Sequence, residues 1–170
     1  MNAADPQHFG QVEIAQSEVY SWRGRYLAIF ARGEEVISRT LVSLNDCCDG
    51  KAKPKLLHLP SQRSDALGKA LPHLTLTKKQ QDGVSASLLA WRKLESTRNF
   101  VVHGSQKVAL DSQGHWVCIL DMTVMRANSA THDRLTICKD EGLKLIVELE
   151  RTYQMLSTSL GMLRSVAERA

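Results

Sequence analysis

Hydrophobic periodicity in this chain predicts an all-α protein in the main, a helical bundle of four or more helices with a peripheral β-hairpin near residues 107–126. Three observations predict it. Apolar residues step by three and four over long stretches at both ends of the sequence. A capping-box signature opens a further helix in the middle. The period changes to two only after Gly104.

Residues 1–8 carry no periodicity and are expected to be flexible, leaving 9–170 as a single domain. The first stripe runs Val12, Ala15, Val19, Trp22, Tyr26, Ile29, Gly33, Ile37, Leu41 and Leu44. A helix of about 37 residues on that stripe would extend roughly 55 Å, so a bend near Gly33 or a partner chain is expected. Asn45 to Gly50 is a run of turn residues that ends it, and Lys51-Ala52-Lys53-Pro54-Lys55 reads as an exposed basic loop. Pro60-Ser61 opens a short helix to about Leu71, with Ser61 as the expected N-cap and Pro72 as the stop. Thr77 and Gln80 have capping-box spacing, and the helix they open is expected over 77–103 with Val84, Leu88, Trp91 and Leu94 on its apolar face. Gly104 is read as its terminating glycine.

Beyond Gly104, Lys107–Leu110 and His115–Leu120 flank Asp111-Ser112-Gln113-Gly114, which is hairpin-turn chemistry, and the second strand extends to about Arg126. Residues 127–133 read as a polar loop. The last helix starts between Thr136 and Glu141. Its stripe is Ile146, Leu149, Tyr153, Leu156, Leu160, Leu163 and Ala167, long enough to pair with the first helix or across a dimer.

Composition narrows the function classes. No apolar run approaches the roughly 20 residues that cross a bilayer, and the first residues form neither a basic patch nor an apolar stretch. A soluble, cytoplasmic protein with no membrane partner is expected. The four cysteines have no Cys-x-x-Cys spacing and no histidine at zinc-finger spacing, so reduced thiols are expected, with no metal and no cofactor. No Gly-rich phosphate loop, Gly-x-Ser-x-Gly elbow or dinucleotide fingerprint occurs. A net charge of +4 is compatible with a polyanionic partner, and Lys51, Lys53, Lys55, Lys78 and Lys79 are basic positions able to flank one. His58, His73 and His115 read as surface histidines. Trp22 and Trp91 read as core, and Trp116 is open between core and surface.

The chemically suggestive segment is Glu95-Ser96-Thr97-Arg98-Asn99-Phe100-Val101-Val102-His103-Gly104. On a helix, Glu95, Asn99 and His103 fall at i, i+4, i+8 and form one polar row. Arg98 is three after Glu95 and within pairing reach. Arg98 and His103 are five apart, about 140° around the axis, so one helix directs them apart and two facing copies would be needed to cluster them. Arg126 and His132 have the same kind of spacing, but Ala127 follows that arginine and a polar loop separates the pair.

The segment resembles the HEPN superfamily, whose signature is an arginine followed by a polar residue and then, after four to six positions, a histidine. Here these are Arg98, Asn99 and His103. The resemblance in residues covers about ten positions, with a looser match in helix order. It implies metal-independent RNA cleavage, in which a ribose 2′-hydroxyl attacks the neighbouring phosphate. His103 would be general base or acid, Arg98 would hold the phosphate through its planar fork of donors, and Asn99 would position substrate or His103. Glu95 would orient Arg98. It also implies a homodimer with a composite site, in a toxin–antitoxin or defence setting. The alternative is a non-catalytic helical module that binds RNA or a protein partner, such as an antitoxin, through the same helices.

Overall fold

The computed structural model of the chain describes residues 6–127 and 129–168. The protein is mainly helical, with one small three-stranded antiparallel sheet. In chain order the elements are α1 (Pro6–Cys47), a 3-10 turn at Gly50–Ala52, α2 (Pro60–Ala70), a second 3-10 turn at Leu71–His73, α3 (Lys78–Lys93), α4 (Glu95–His103), β1 (Ser105–Leu110), β2 (Trp116–Arg126), β3 (Ser129–Cys138) and α5 (Lys139–Ala167). No helix among the described residues is long and apolar enough to cross a membrane.

The chain forms two compact units. One comprises residues up to Ala28 together with Ser96–Glu148, and the other comprises Ile29–Glu95 and the segment from Leu149. Helices α1 and α5 contribute to both. The first unit therefore holds the start of α1, nearly all of α4, the sheet and the start of α5. The second holds the rest of α1 and α5 with α2 and α3.

In the first unit, Val19, Trp22 and Tyr26 of α1 are buried, as are Val101 of α4 and Trp116, Cys118 and Leu120 of β2. Trp22 and Trp116 pack with ring centroids 5.8 Å apart, and the Trp22 indole N–H donates to the Gly142 carbonyl at 2.8 Å. Trp116 is thus core. Gly142 leaves room for that ring, since a Cβ there would lie 2.4 Å from Trp116 Cη2. Strand order is β1-β2-β3, with Cys118 opposite Ile137 and Leu120 opposite Leu135. The Asp111–Gly114 turn forms as its residues require. Asp111 Oδ1 accepts from the Gln113 and His115 amides at 2.8 and 2.9 Å, and Gly114 takes φ +80°.

The third strand is a correction to the sequence reading. Residues expected in a polar loop at 127–133 pair instead with β2 from Ser129 onward, apart from Asn128, which lies outside the described residues. Asp121 is clasped from both neighbouring strands. Arg134 of β3 donates to it at 2.6 and 3.3 Å, and the Lys107 ammonium of β1 sits 3.4 Å away.

In the second unit, Phe30 and Trp91 pack with ring centroids 4.5 Å apart, and Ile37, Leu41, Leu67, Leu156 and Leu160 are buried as well. Helix α1 is continuous through Gly33, and that glycine has a packing role. A Cβ there would lie 2.1 Å from Trp91 Cη2, so the indole lies directly against the helix backbone. The capping box of α3 is present in full, with the Gln80 amide donating to Thr77 Oγ1 and the Thr77 amide to Gln80 Oε1. Helix α2 starts differently from expectation. Pro60 occupies its first turn and Leu59 its N-cap position, without a side-chain cap, so Ser61 does not serve as one. Thr40 is fully buried; its hydroxyl donates to the Val36 carbonyl and accepts from Arg164 of α5 at 2.7 Å.

The single helix expected over 77–103 is two. The Leu94 amide donates to the Trp91 carbonyl at 3.1 Å, an i to i−3 bond that interrupts the α-helical ladder, and α4 restarts at Glu95.

Candidate functional site

Helix α4 is short, and its anchoring explains how its polar side chains are presented. Val101 is its buried residue and faces the core. One and two positions to either side the chain reaches the surface, so Asn99 and His103, four apart, are both exposed on one face, while Arg98 is half-buried. The Arg98 guanidinium donates to Asn99 Oδ1 at 3.3 Å, which brings these two motif residues together. Glu95 belongs to the second unit and lines a small cavity there with Phe30, Glu34, Arg63 and Ser64.

The end of α4 is secured in two ways. The Gly104 amide donates to the Phe100 carbonyl at 2.8 Å, which continues the helical ladder to its last turn. The helix ends at His103, directly before Gly104 as expected, but without a left-handed turn, since the glycines with positive φ among the described residues are Gly50 and Gly114. Its role is close approach. A Cβ at this buried position would lie 2.6 Å from the Phe100 carbonyl oxygen and 3.1 Å from Leu120 Cβ, so the absence of a side chain lets the helix end pass directly into β1.

The second device is Arg23 of α1. Its Nε donates to the Val101 carbonyl at 2.7 Å, and its Nη2 reaches the carbonyls of Val102 at 3.2 Å and Gly104 at 3.5 Å. Its Nη1 donates to Gln106 Oε1 of β1 at 3.1 Å. The last carbonyls of a helix have no partner within it, and a guanidinium supplies several donors in a fixed plane. A cation at the negative end of the helix dipole is favourable as well. Arg23 therefore fixes the backbone on both sides of His103. The sequence offers no local sign of this, because Arg23 lies 78 positions before Val101.

The remaining titratable groups do not converge on α4. Burial pushes the Cys118 thiol up, with Arg23 opposing, and burial with neighbouring Cys47 and Asp49 pushes the Cys48 thiol up. Neither is an activated nucleophile. Among the described residues no three histidine, cysteine or carboxylate side chains gather as a metal site. The pair Arg126 and His132 sits at the far end of β2 and on β3, where His132 Nδ1 is 3.0 Å from Thr123 Oγ1. His58, His73 and His115 are exposed.

A larger groove lies in the second unit. It has a volume of about 530 Å³ and is walled by Lys51, Lys53, Lys55 and Lys69 over Pro54, Leu57, Ala66 and Ala70. Three of those lysines fall in the loop read from the sequence as basic and exposed. The fourth, from α2, joins them only through the fold. With this geometry in view, comparison with known proteins is negative: no protein-family model, no curated protein and no solved structure matches the chain.

Proposed function

We propose that the chain is a cytoplasmic helical bundle of HEPN type that cleaves RNA without a metal, at a composite site formed when α4 of two copies face each other. The observation that carries this reading is the exposure of Asn99 and His103 on one face of a helix whose end is held by Arg23. A general base or acid must be accessible and carried on an anchored backbone, and the exposure of His103 between carbonyls bonded by Arg23 supports that role. In the proposed reaction the ribose 2′-oxygen loses its proton to a histidine and attacks the adjacent phosphorus. The bond to the 5′-oxygen breaks and that oxygen takes up a proton, leaving a 2′,3′-cyclic phosphate and a 5′-hydroxyl. Arg98, steadied by Asn99, balances charge on the phosphoryl oxygens. Two copies are required because Arg98 and His103 diverge by about 140° on one α4.

The second reading, a non-catalytic module that binds RNA or a protein partner such as an antitoxin, is favoured by that same divergence and by the inclination of Arg98 toward Asn99. Cleavage of a labelled RNA in the presence of a chelator separates the two. Catalysis predicts a loss on the order of 10²–10⁴-fold for both His103→Ala and Arg98→Ala. Equal cleavage by both variants and the parent chain would remove α4 from the mechanism.

A further inference from the structure

We propose that the groove walled by Lys51, Lys53, Lys55 and Lys69 binds the phosphodiester backbone of a single-stranded RNA, as a site separate from the motif on α4. The choice of RNA over other polyanions rests on the reading of α4 above, whereas the anionic character of the ligand does not.

Four ammonium groups border one groove of about 530 Å³, within the size range of ligand sites. They come from three stretches of chain: the Gly50–Ala52 turn, the loop after it, and α2. All four lysines are exposed, and among the described residues none of them forms an ion pair. The one carboxylate in the wall, Asp65, is engaged by Arg92 of α3. The groove therefore presents concentrated positive charge with its only opposing charge already bridged. Like charges brought together on an apolar floor repel one another, and a polyanion relieves that repulsion while releasing its own counterions.

The loop that carries the lysines is also fixed from both sides. The Asn45 amide nitrogen donates to the Pro54 carbonyl at 3.0 Å, and Pro54 itself is buried. Arg63 donates to the carbonyls of Leu57 and His58 at 2.9 and 2.8 Å, and to Ser38 Oγ at 3.0 Å. Backbone bonds of this kind place the lysines before any ligand arrives, which lowers the ordering cost of binding. No aromatic ring lines the groove, so nothing there stacks a base. That favours a strand read through its phosphates over a nucleotide read through its base.

The test is binding of a labelled single-stranded RNA to the full chain carrying His103→Ala, so that the RNA stays intact, across a range of salt concentrations. Removing two groove lysines, Lys53→Gln with Lys55→Gln, is expected to lower the slope of log K against log salt by about 1.4, at about 0.7 per lost contact on a single strand. Affinity at 0.1 M salt should fall on the order of tenfold from the same relation. Lys144→Gln with Arg151→Gln, an equal charge change at exposed positions of α5, should leave the slope nearly unchanged. Equal slopes for the groove pair and the parent, or equal losses for the two pairs, would overturn the proposal. So would binding of tripolyphosphate at the groove with no RNA bound. Absence of cleavage by the parent chain would overturn the α4 reading while leaving the slope test of the groove intact.

Discussion

Each unit seats a tryptophan on a helix glycine, and the two seats differ in what surrounds them. In the second unit Trp91 lies on Gly33 of α1 and packs against Phe30, and both rings are buried. In the first unit Trp116 lies on Gly142 of α5, but the Gly142 carbonyl also accepts from Trp22, and the next residue along α1, Arg23, takes three carbonyls around the end of α4. Apolar packing is strong and tolerant of small shifts, whereas hydrogen bonds specify direction. The unit that carries most of the motif helix is thus the one in which directional bonds accompany the packed rings.

The largest effect is expected from breaking the apolar seat. Gly33→Ala places a methyl group against two indole carbons at 2.1 and 2.2 Å, with the ring buried and unable to withdraw. Overpacking of this severity should cost about 3 kcal/mol, measurable as a lower urea midpoint with an unchanged slope. Combined with Trp91→Leu, the alanine should cost much less than it does alone, because the clash is then absent. Additive losses in that pair would show that the glycine matters for some other reason.

A smaller loss of stability with a larger loss of function is expected from the polar side of the comparison. Arg23→Met keeps much of the aliphatic bulk and leaves the carbonyls at the end of α4 without a donor. The cost should be about 1–3 kcal/mol. Amide exchange at Val101–Gly104 should rise more than exchange at the α5 amides, because the effect is local. If α4 is catalytic, RNA cleavage should fall through kcat with KM little changed, since Arg23 touches the helix and not the substrate. Parental exchange rates at the end of α4 would show that the Arg23 bonds do not hold it.

The same contrast explains how much of the molecule could be read in advance. The apolar stripes were legible, since the stripe containing Gly33 and the face containing Trp91 both repeat at helical spacing and the buried residues follow them. The seats were not, because Gly33 was expected at a bend and Trp116 was open between core and surface. The Thr77–Gln80 box and the Asp111–Gly114 turn were legible because local chemistry creates them. Strand β3 was not. Residues 129–134 are exposed on every side chain, so no alternation between inside and outside exists to be read. The break at Leu94 was equally silent, having no proline or glycine to mark it. Of the candidate site, Arg98, Asn99 and His103 could be named from their spacing. Arg23 and Lys69 could not, because each meets its partners only through the fold.

The smallest effect concerns a charge clasp in the sheet and depends on pH. The Asp121 carboxylate accepts from Arg134 first and is approached by Lys107 second, and together these hold its pKa below the usual carboxylate value. Asp111 is also lowered, chiefly by the His115 amide in the hairpin turn. A carboxylate whose pKa is lowered by folding stabilises the fold fully above its unfolded value near 3.9 and loses that contribution as pH falls through the lower, folded value. Stability should therefore be flat across neutral pH and decline in acid below about 4. Asp111 is exposed and Asp121 is half-buried beneath the exposed Arg134 and Lys107, so water and salt screen both and the decline from them is modest. Asp121→Asn should flatten part of that decline, and added salt should flatten it further for the parent but little for the variant. A parent and an Asp121→Asn chain with superimposable acid limbs would show that the three-strand clasp adds nothing to the stability of the sheet.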